Sequence, residues 1–213
     1  NPGKVAAMRG MGAEVIFHGA DFDAAREWIM QVAAETGGRF VGPTDEPLIE
    51  GVGTYALEIV EQLPTVNTII VPVGAGSGVC ATGIVAKAIN PEIEVIGVQS
   101  AQAPAMQRSW QSGTLTGAEM QTLAEGLATR VPFENTQRIM RAVVDDFVLV
   151  DDSLIWAAVK LMMEHTHNLI EGAGAAPLAA ALALRERLAG RQLVLIASGG
   201  NLSAENLQRA LAT

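Results

Sequence analysis

The stretch VPVGAGSGVCATG, residues 71–83, lies between a short hydrophobic segment and a helical pattern. The residues before the glycines, NTIIVPV (67–73), are rich in β-branched side chains, which is typical of a strand buried in a parallel sheet. The residues after them, VCATGIVAKAI, predict a helix. A glycine-rich turn at the start of a helix presents free backbone N–H groups, and the positive end of the helix dipole faces the same point. The stretch therefore predicts a binding site for a phosphate-bearing ligand.

Strand and helix patterns alternate along the rest of the chain. Further strands are predicted at 13–17, 39–41, 93–98, 147–150 and 192–197, and helices at 22–35, 51–62, 152–165 and 175–189. Strands separated by helices need crossover connections, so we predict an α/β fold with a mainly parallel sheet. Ligands of such sheets bind at the carboxyl ends of the strands, where the two glycine loops GAGSG and SGGN both fall. A proline-containing loop at 42–47 marks the predicted domain boundary, which divides the chain into 1–45 and 46–213.

The composition argues against several classes of protein. Of the 213 residues, 49% are hydrophobic, which is enough for a sizeable core in one or two domains. The net charge of −9 disfavours nucleic acid and anionic membrane surfaces as partners. No apolar run approaches the roughly 18 residues of a membrane span. A single cysteine excludes a disulfide framework and a zinc cluster, which fits a cytoplasmic protein.

The GAGSG loop has two other interpretations. Gly76, Gly78 and Ala81 also satisfy the dinucleotide fingerprint G-x-G-x-x-G/A. That fingerprint needs an acidic residue at the end of the next strand, where this chain has Gln99 and Ser100, so a nicotinamide site is disfavoured. A tight turn without any ligand is the other alternative, although three glycines with a serine favour a close approach to an anion.

Two further groups of residues are candidates for the same site. Ser198, the first residue of SGGN, follows a buried strand, and its hydroxyl is placed to reach a ligand; the alternative is a simple helix entry capped by Asn201 or Ser203. Glu171 precedes a Gly-Ala run that opens a helix, where the helix dipole alone would favour a carboxylate. Gly126, in TLAEGLA, is equally ambiguous by itself.

Taken in order, the motifs resemble the serine/threonine dehydratase branch of the fold type II enzymes that use pyridoxal 5'-phosphate (PLP), a branch that includes serine racemase. The resemblance covers the chain from end to end. The segments that carry it are PGKVAAMRGMGAEVIFHG, GVGTYALEIVEQLP, IIVPVGAGSGVCATG, EVIGVQSAQAPAM, LAEGLA, VVDDFVLVDDSLI, EGAGAAPLAA and ASGGNLS. It implies that 1–45 is the remainder of a small domain and that 46–213 is the large, PLP-binding domain.

The resemblance also implies roles for individual residues. The backbone N–H groups of the glycine loop would hold the phosphate of PLP, and this loop consists of Gly74, Ala75, Gly76, Ser77 and Gly78. Ser198 would form a hydrogen bond to the pyridine nitrogen, where a neutral hydroxyl makes the ring a milder electron sink than a carboxylate would. Gly126 and Glu171 would line the cofactor and substrate pocket.

Two departures from the family pattern concern the ligands. Ala75 and Ser77 interrupt a phosphate loop that is otherwise all glycine in dehydratases. The racemase branch binds a divalent cation through a Glu, an Asp and a carbonyl group between them. The matching positions here are Gln99, Ala105 and Ala103, so we predict no metal at this point.

The third departure concerns the catalytic lysine. The family carries it near the N-terminus in a Ser-x-Lys-x-Arg-Gly setting, followed by a Ser-x-Gly-Asn-His loop, and neither pattern occurs here. The three lysines of the chain, Lys4, Lys87 and Lys160, all lie in predicted helices. We therefore expect the Schiff-base lysine to come from an N-terminal segment that precedes this sequence or from a separate polypeptide.

The resemblance implies a function for the whole enzyme. It would be an ammonia-lyase that eliminates water from a β-hydroxy amino acid of the threonine or serine type, acting as a homodimer or homotetramer, while this chain alone is predicted to be inactive. The alternatives are a non-catalytic binding or assembly module of the same fold and, less favoured, a Rossmann-like nucleotide-binding enzyme. The particular substrate, and the balance of dehydratase and racemase activity, are left open.

Overall fold

The computed structural model describes residues 2–213 and shows an α/β fold built on a four-stranded parallel sheet. The strands are β1 Thr68–Pro72, β2 Glu94–Ser100, β3 Asp146–Val150 and β4 Leu193–Leu195. The helices are α1 Pro2–Gly10, α2 Phe22–Thr36, α3 Glu46–Gln62, α4 Ser77–Ile89, α5 Ala105–Ser112, α6 Glu134–Val143, α7 Asp152–Thr166, α8 Gly172–Ala183 and α9 Ala204–Leu211. A short 3-10 helix spans Glu125–Leu127.

The sheet has the strand order β3-β2-β1-β4, and every neighbouring pair is parallel. In the middle of the sheet, Ile70 aligns with Ile96 of β2 on one side and with Leu195 of β4 on the other. Parallel neighbours require the chain to cross back over the sheet each time, and the connecting helices make those crossings. All four carboxyl ends consequently lie at one edge of the sheet, with β1 near its centre.

Helices cover both faces of the sheet. The side chains of β1 alternate between two buried clusters: Ile69 and Val71 pack on one face with residues of α4 and α6, and Ile70 packs on the other with residues of α7 and α8. Helices α4 and α6 come so close that a Cβ added at Gly83 would lie 2.4 Å from the Val143 side chain. This layered packing confirms the predicted α/β class.

Two predicted strands, at 13–17 and 39–41, are wrong. Both segments are irregular in the structure, with Ile16 54%, Phe17 74% and Val41 65% exposed. A strand needs a partner to satisfy its backbone, and within residues 2–213 neither segment has one. Their hydrophobic side chains produced the strand pattern, but β-propensity describes side chains that fit a pleated surface rather than an intrinsic backbone preference.

The predicted domain boundary coincides with a change in structure. Residues 2–45 contain α1, α2 and the two irregular segments, and α3 begins at Glu46 with Asp45 as its N-cap. The division into two domains stays a prediction. None of the helices in the described region is long and apolar enough to cross a membrane.

The only cysteine of the chain is buried between α4 and α6. Cys80 Sγ lies 3.4 Å from the carbonyl oxygen of Thr136, and burial raises the pKa of the thiol to about 12. At pH 8 roughly one molecule in 10,000 would carry the reactive thiolate. We expect iodoacetamide to leave the folded protein unlabelled and to label it once in urea, as measured by intact mass. Because the unfolded thiol ionises from about pH 9, the free energy of unfolding should also fall as the pH rises from there towards 12.

Candidate functional site

The glycine loop, here called the phosphate loop (residues 74–78), joins the carboxyl end of β1 to the first turn of α4. Gly76 is the N-cap of α4 and has φ +98°, a left-handed conformation that favours glycine. The first N–H groups of α4, beginning at Ser77, have no intrahelical acceptors and point out of the helix end. The loop therefore offers several backbone donors and the positive end of a helix dipole to an anion.

Thr136 of α6 holds the phosphate loop from behind. Its hydroxyl donates a 2.7 Å hydrogen bond to the carbonyl oxygen of Ala75, and the residue is fully buried. A Cβ added at Gly76 would lie 3.0 Å from the Thr136 side chain, so the two residues are in close contact. The loop is thus fixed in place by a side chain that lies 61 residues away in the sequence.

Replacing Thr136 with valine should loosen the phosphate loop. The change keeps the shape of the side chain but leaves the half-buried carbonyl of Ala75 without its donor, which costs about 0.5–1.5 kcal/mol of unfolding free energy. We expect a lower midpoint in urea and weaker binding of PLP. The control is Thr136→Ser, which retains the hydroxyl and should recover most of both losses. Equal losses in the two variants would contradict a role for the hydrogen bond.

Tyr55 of α3 holds the other side of the loop. Its hydroxyl donates to the carbonyl oxygen of Gly78 at 3.1 Å and lies 2.6 Å from the hydroxyl of Thr82. Burial raises the pKa of Tyr55 above its usual value of 10.0, so the hydroxyl stays protonated and acts as a donor at neutral pH. The first turn of α4 is therefore attached to α3 as well as to α6.

A second loop packs directly on the phosphate loop. We call it the strap (residues 122–130); it contains the 3-10 helix and passes over Gly74. A Cβ added at Gly74 would lie only 2.2 Å from the carbonyl oxygen of Gly126, and a Cβ added at Gly126 would lie 2.7 Å from the Ala173 Cβ. Gly126 is thus wedged between the phosphate loop and α8, and both glycines are required by space.

One cavity brings most of the predicted site residues together. It has a volume of about 690 Å³, and apolar side chains of α3 and β4 form its walls. All seven predicted cofactor-binding residues line it, namely Gly74, Ala75, Gly76, Ser77, Gly78, Gly126 and Ser198. The carboxyl ends of β1 and β4 meet here, as the parallel sheet predicts.

Glu171 lies beside this cavity and does not line it. It is the N-cap of α8, and its backbone N–H donates to the carbonyl oxygen of Gly199 at 3.0 Å. A Cβ added at Gly199 would lie 2.2 Å from Glu171 Oε1, so the carboxylate packs on the backbone of the SGGN loop. In this structure Glu171 is placed to shape that loop.

A second cavity, of about 590 Å³, meets the first at Ala75 and Gly126. Pro2 and Phe22 close one side of it, and residues of the strap and of α9 close the others. This cavity lies between residues 2–45 and the rest of the molecule. A molecule bound there would touch both parts of the chain and the phosphate loop.

The three lysines all lie outside the cavity that holds the phosphate loop. Lys4 donates to Glu125 Oε2 at 3.1 Å, and Lys87 is engaged by Asp145 and by the carbonyl oxygens of Pro91 and Ile93. Lys160 is part of α7, which packs on the face of the sheet opposite to α4. Within residues 2–213, no lysine lines the 690 Å³ cavity.

Sequence reasoning missed the residues that support the loop. Tyr55 and Thr136 act through contacts between distant elements, and nothing local in the sequence distinguishes them from other helix residues. Gln99, matched to a metal ligand in the racemase branch, is fully buried. Its amide donates to Thr129 Oγ1 at 3.0 Å and accepts from the backbone of Gln107 at 3.2 Å. That position is occupied by a neutral side chain whose polar atoms both have protein partners.

The fold and the site define a class. A glycine loop between a central parallel strand and a helix, with a hydroxyl beyond the end of the neighbouring strand, has the geometry of a site for a flat phosphorylated cofactor. The chain belongs to the family described as pyridoxal-phosphate dependent enzyme, whose model matches residues 1–199. The residues fit that cofactor, because the phosphate loop offers backbone N–H groups at the start of α4 and the adjoining 690 Å³ cavity, walled by apolar side chains, can take a ring.

The chain is similar to several curated proteins. It is 39% identical over 208 residues to an L-threonine ammonia-lyase of Geobacter sulfurreducens and 36% identical over 210 residues to one of Thermotoga maritima. The matches cover 97% and 98% of this chain and 52% of each relative. The chain therefore spans about half the length of the curated relatives it matches.

Solved structures show the same fold. The processed form of threonine deaminase isoform 2 from Solanum lycopersicum has a TM-score of 0.92 at 30% identity, with 100% of this chain and 63% of that chain covered. Maize serine racemase has a TM-score of 0.86 at 30% identity, with 98% and 65% covered. These matches and the family model confirm the resemblance and the cofactor class, and they remove the Rossmann-like alternative.

Proposed function

We propose that this chain forms the cofactor-binding part of a PLP-dependent ammonia-lyase. The whole protein would eliminate water from a β-hydroxy amino acid of the threonine or serine type and release a 2-oxo acid and ammonia. One observation carries the proposal: a single cavity gathers the phosphate loop, Gly126 and Ser198 at the carboxyl ends of neighbouring strands. The names of the similar proteins, threonine ammonia-lyase and threonine deaminase, support this reaction class.

The residues of the cavity have distinct tasks in this proposal. The phosphate loop binds the cofactor phosphate through backbone N–H groups, and Thr136 and Tyr55 keep those groups in position. Ser198 offers its neutral hydroxyl to the pyridine nitrogen. When bound, PLP supplies an electron sink for the bond broken at the substrate α-carbon. A serine partner does not hold a proton on the ring as a carboxylate would, and this favours elimination over storage of the carbanion.

The catalytic lysine would come from outside this sequence. The three lysines of the chain are placed elsewhere, and the matched relatives are about twice as long. The sheet also supports an additional segment, because β4 is an edge strand and its residues Leu193–Leu195 are only partly buried. An exposed apolar edge strand is a favourable docking place for further chain. We propose that this segment, preceding the sequence or supplied as a separate polypeptide, completes the site.

The decisive experiment compares the 213-residue chain with the full-length polypeptide of its source. Each protein is given PLP and L-threonine, L-serine or L-alanine, and formation of 2-oxo acid is followed. We expect the full-length protein to act on a hydroxy amino acid and to show the visible absorbance of bound PLP, and the 213-residue chain to do neither. L-alanine, which lacks a β-hydroxyl, is the matched control. A full-length protein that binds PLP but acts on none of these substrates would favour the non-catalytic binding module.

A related proposal is that no divalent cation is needed near Gln99. Both polar atoms of this buried amide have protein partners, and no carboxylate stands at Ala103 or Ala105. We expect EDTA to leave the turnover and the thermal unfolding midpoint of the full-length protein unchanged. A loss that added Mg²⁺ reverses would contradict the proposal.

The assembly and the compartment also belong to this proposal. Dimers or tetramers are expected from the resemblance to dehydratases, and a cytoplasmic location fits the single cysteine. Sedimentation of the full-length protein would measure the oligomeric state directly.

A further inference from the structure

Charged residues of the N-terminal part (residues 2–45) form ion pairs with the strap on both sides of Gly126. On one side, Lys4 Nζ donates to Glu125 Oε2 at 3.1 Å. On the other, Arg130 Nε donates to Asp21 Oδ2 at 2.8 Å. The two contacts have opposite polarity, since the cation belongs to the N-terminal part in the first and to the strap in the second.

The first turn of α2 binds Arg130 by two groups. Asp21 accepts from the guanidinium, and Asp23 Oδ2 accepts from the backbone N–H of Arg130 at 3.2 Å. Asp23 is 1% exposed, and Arg26 lies over the Phe133 ring at 4.5 Å from its centroid. The carboxylate of Asp23 thus reaches the strap backbone from a buried position. Arg130 also lowers the pKa of Asp21, which keeps this carboxylate ionised at neutral pH.

The other side of the strap is attached to the large, PLP-binding part. Thr122 Oγ1 donates to Asp152 at 2.9 Å, and the Leu123 N–H donates to the same carboxylate at 3.2 Å. At the far end Gln99 donates to Thr129 Oγ1 at 3.0 Å. The strap is therefore shared by the two parts of the chain, and Gly126 lies at its middle against Gly74.

The position of the strap also determines the shape of the second cavity. Thr122 and Leu123 of the strap line it, and so does Phe22, which lies between Asp21 and Asp23 in the sequence. The contact of Asp21 and Asp23 with Arg130 therefore links two parts of the cavity lining. The floor of the cavity, at Ala75 and Gly126, is the phosphate loop and the strap itself.

We propose that Arg130, held by Asp21 and Asp23, is a positioning residue that couples the placement of residues 2–45 to the strap and so sets the affinity for the amino acid substrate. The inference rests on the proposed function, because it assigns the substrate to the 590 Å³ cavity beside the phosphate loop. Arg130 lines neither of the two cavities, and it acts by holding the strap in position. Its loss should therefore weaken substrate binding more than it slows the bond-breaking step.

The test uses the full-length protein loaded with PLP and two single variants, Arg130→Ala and Asp21→Asn. Asparagine is as good an N-cap as aspartate, so Asp21→Asn keeps the cap on Ala24 and removes only the charge that faces Arg130. We expect each variant to raise KM about five-fold and to change kcat less than two-fold. In the double variant the KM should equal that of Arg130→Ala, because both changes remove the same contact.

A second measurement does not depend on turnover. Hydrogen exchange of the strap peptide should become faster in Arg130→Ala, and Arg130→Lys, which keeps a positive charge, should lie between that variant and the parent protein. The matched control is Arg138→Ala, an exposed arginine of α6 that faces Glu46 at 4.0 Å and does not contact the strap. Its KM and strap exchange should be unchanged.

The results of these experiments distinguish a failure of the positioning role of Arg130 from a failure of the proposed function. Unchanged KM and unchanged strap exchange in Arg130→Ala, or a KM in the double variant that multiplies the two single effects, would overturn the positioning role. A parent protein without turnover of any β-hydroxy amino acid would overturn the proposed function instead. In that case the strap exchange still reports whether Arg130 holds the strap.

Discussion

Replacing Gly74 with alanine is expected to destroy the binding of PLP and to lower the free energy of unfolding by about 3 kcal/mol. The added Cβ would lie 2.2 Å from the carbonyl oxygen of Gly126, and that neighbour is backbone rather than the end of a flexible side chain. Either the phosphate loop or the strap must move, and both contribute residues to the 690 Å³ cavity. Fluorescence titration of the full-length protein with PLP and unfolding in urea would measure the two effects.

The matched control is Gly51→Ala in α3. A Cβ there would meet nothing within 4 Å, and the residue lies inside a helix. Alanine should stabilise this position by about 0.5–1 kcal/mol, and the affinity for PLP should not change. If Gly74→Ala bound PLP as tightly as Gly51→Ala, the close packing of the strap on the phosphate loop would not matter for the cofactor.

The centre of the fold was predictable because its signals are local. The β-branched run before Pro72, the glycines and the helical pattern from Val79 specify strand, turn and helix within a short stretch, and the structure places all three there. The parallel sheet followed from alternation alone. The predicted helix at 175–189 was less accurate: α8 begins at Gly172, where it packs against Ala124 and Trp156, and it already ends at Ala183.

The N-terminal strands were not predictable in the same way. The segments at 13–17 and 39–41 have the hydrophobic side chains of strands, but strand formation depends on a neighbour in space. The structure supplies no such neighbour from residues 2–213, and the side chains of Ile16 and Phe17 remain exposed. Hydrophobic pattern identifies which residues prefer a pleated surface, and it cannot state whether that surface exists.

In the candidate site, too, the residues in local motifs were predictable and those that act through contacts in space were not. Sequence motifs identified the residues that line the cavity, because glycines and a serine at strand ends have few other reasons to cluster. They did not identify Thr136 or Asp152, whose roles arise from contacts across 61 and 30 residues. Glu171 shows the intermediate case, since its motif marked an important place, and the structure puts the carboxylate behind Gly199 rather than in the cavity.

Asp152 carries the second large prediction. Its carboxylate accepts hydrogen bonds from Ser100 Oγ at 2.6 Å, from Thr122 Oγ1 at 2.9 Å and from the Leu123 N–H at 3.2 Å. Through these contacts the start of α7 joins the end of β2 to the strap. Asp152→Ala would remove this shared acceptor, and of the three donors only the Ser100 hydroxyl has another acceptor nearby, Gln102 Oε1 at 3.2 Å. We therefore expect the free energy of unfolding to fall by about 2–4 kcal/mol, as measured in urea.

The functional consequence of Asp152→Ala should follow the same path. Without its attachment to α7, the strap would no longer press Gly126 against Gly74, and the affinity of the full-length protein for PLP should fall with the stability. The matched control on α7 is Glu164→Ala, an exposed carboxylate near the other end of the helix, which should change either quantity by little. A variant that lost stability and kept its PLP affinity would show that the phosphate loop holds its shape without the strap. A parallel loss would show that the site depends on the contact between α7 and the strap, which the sequence motifs alone did not reveal.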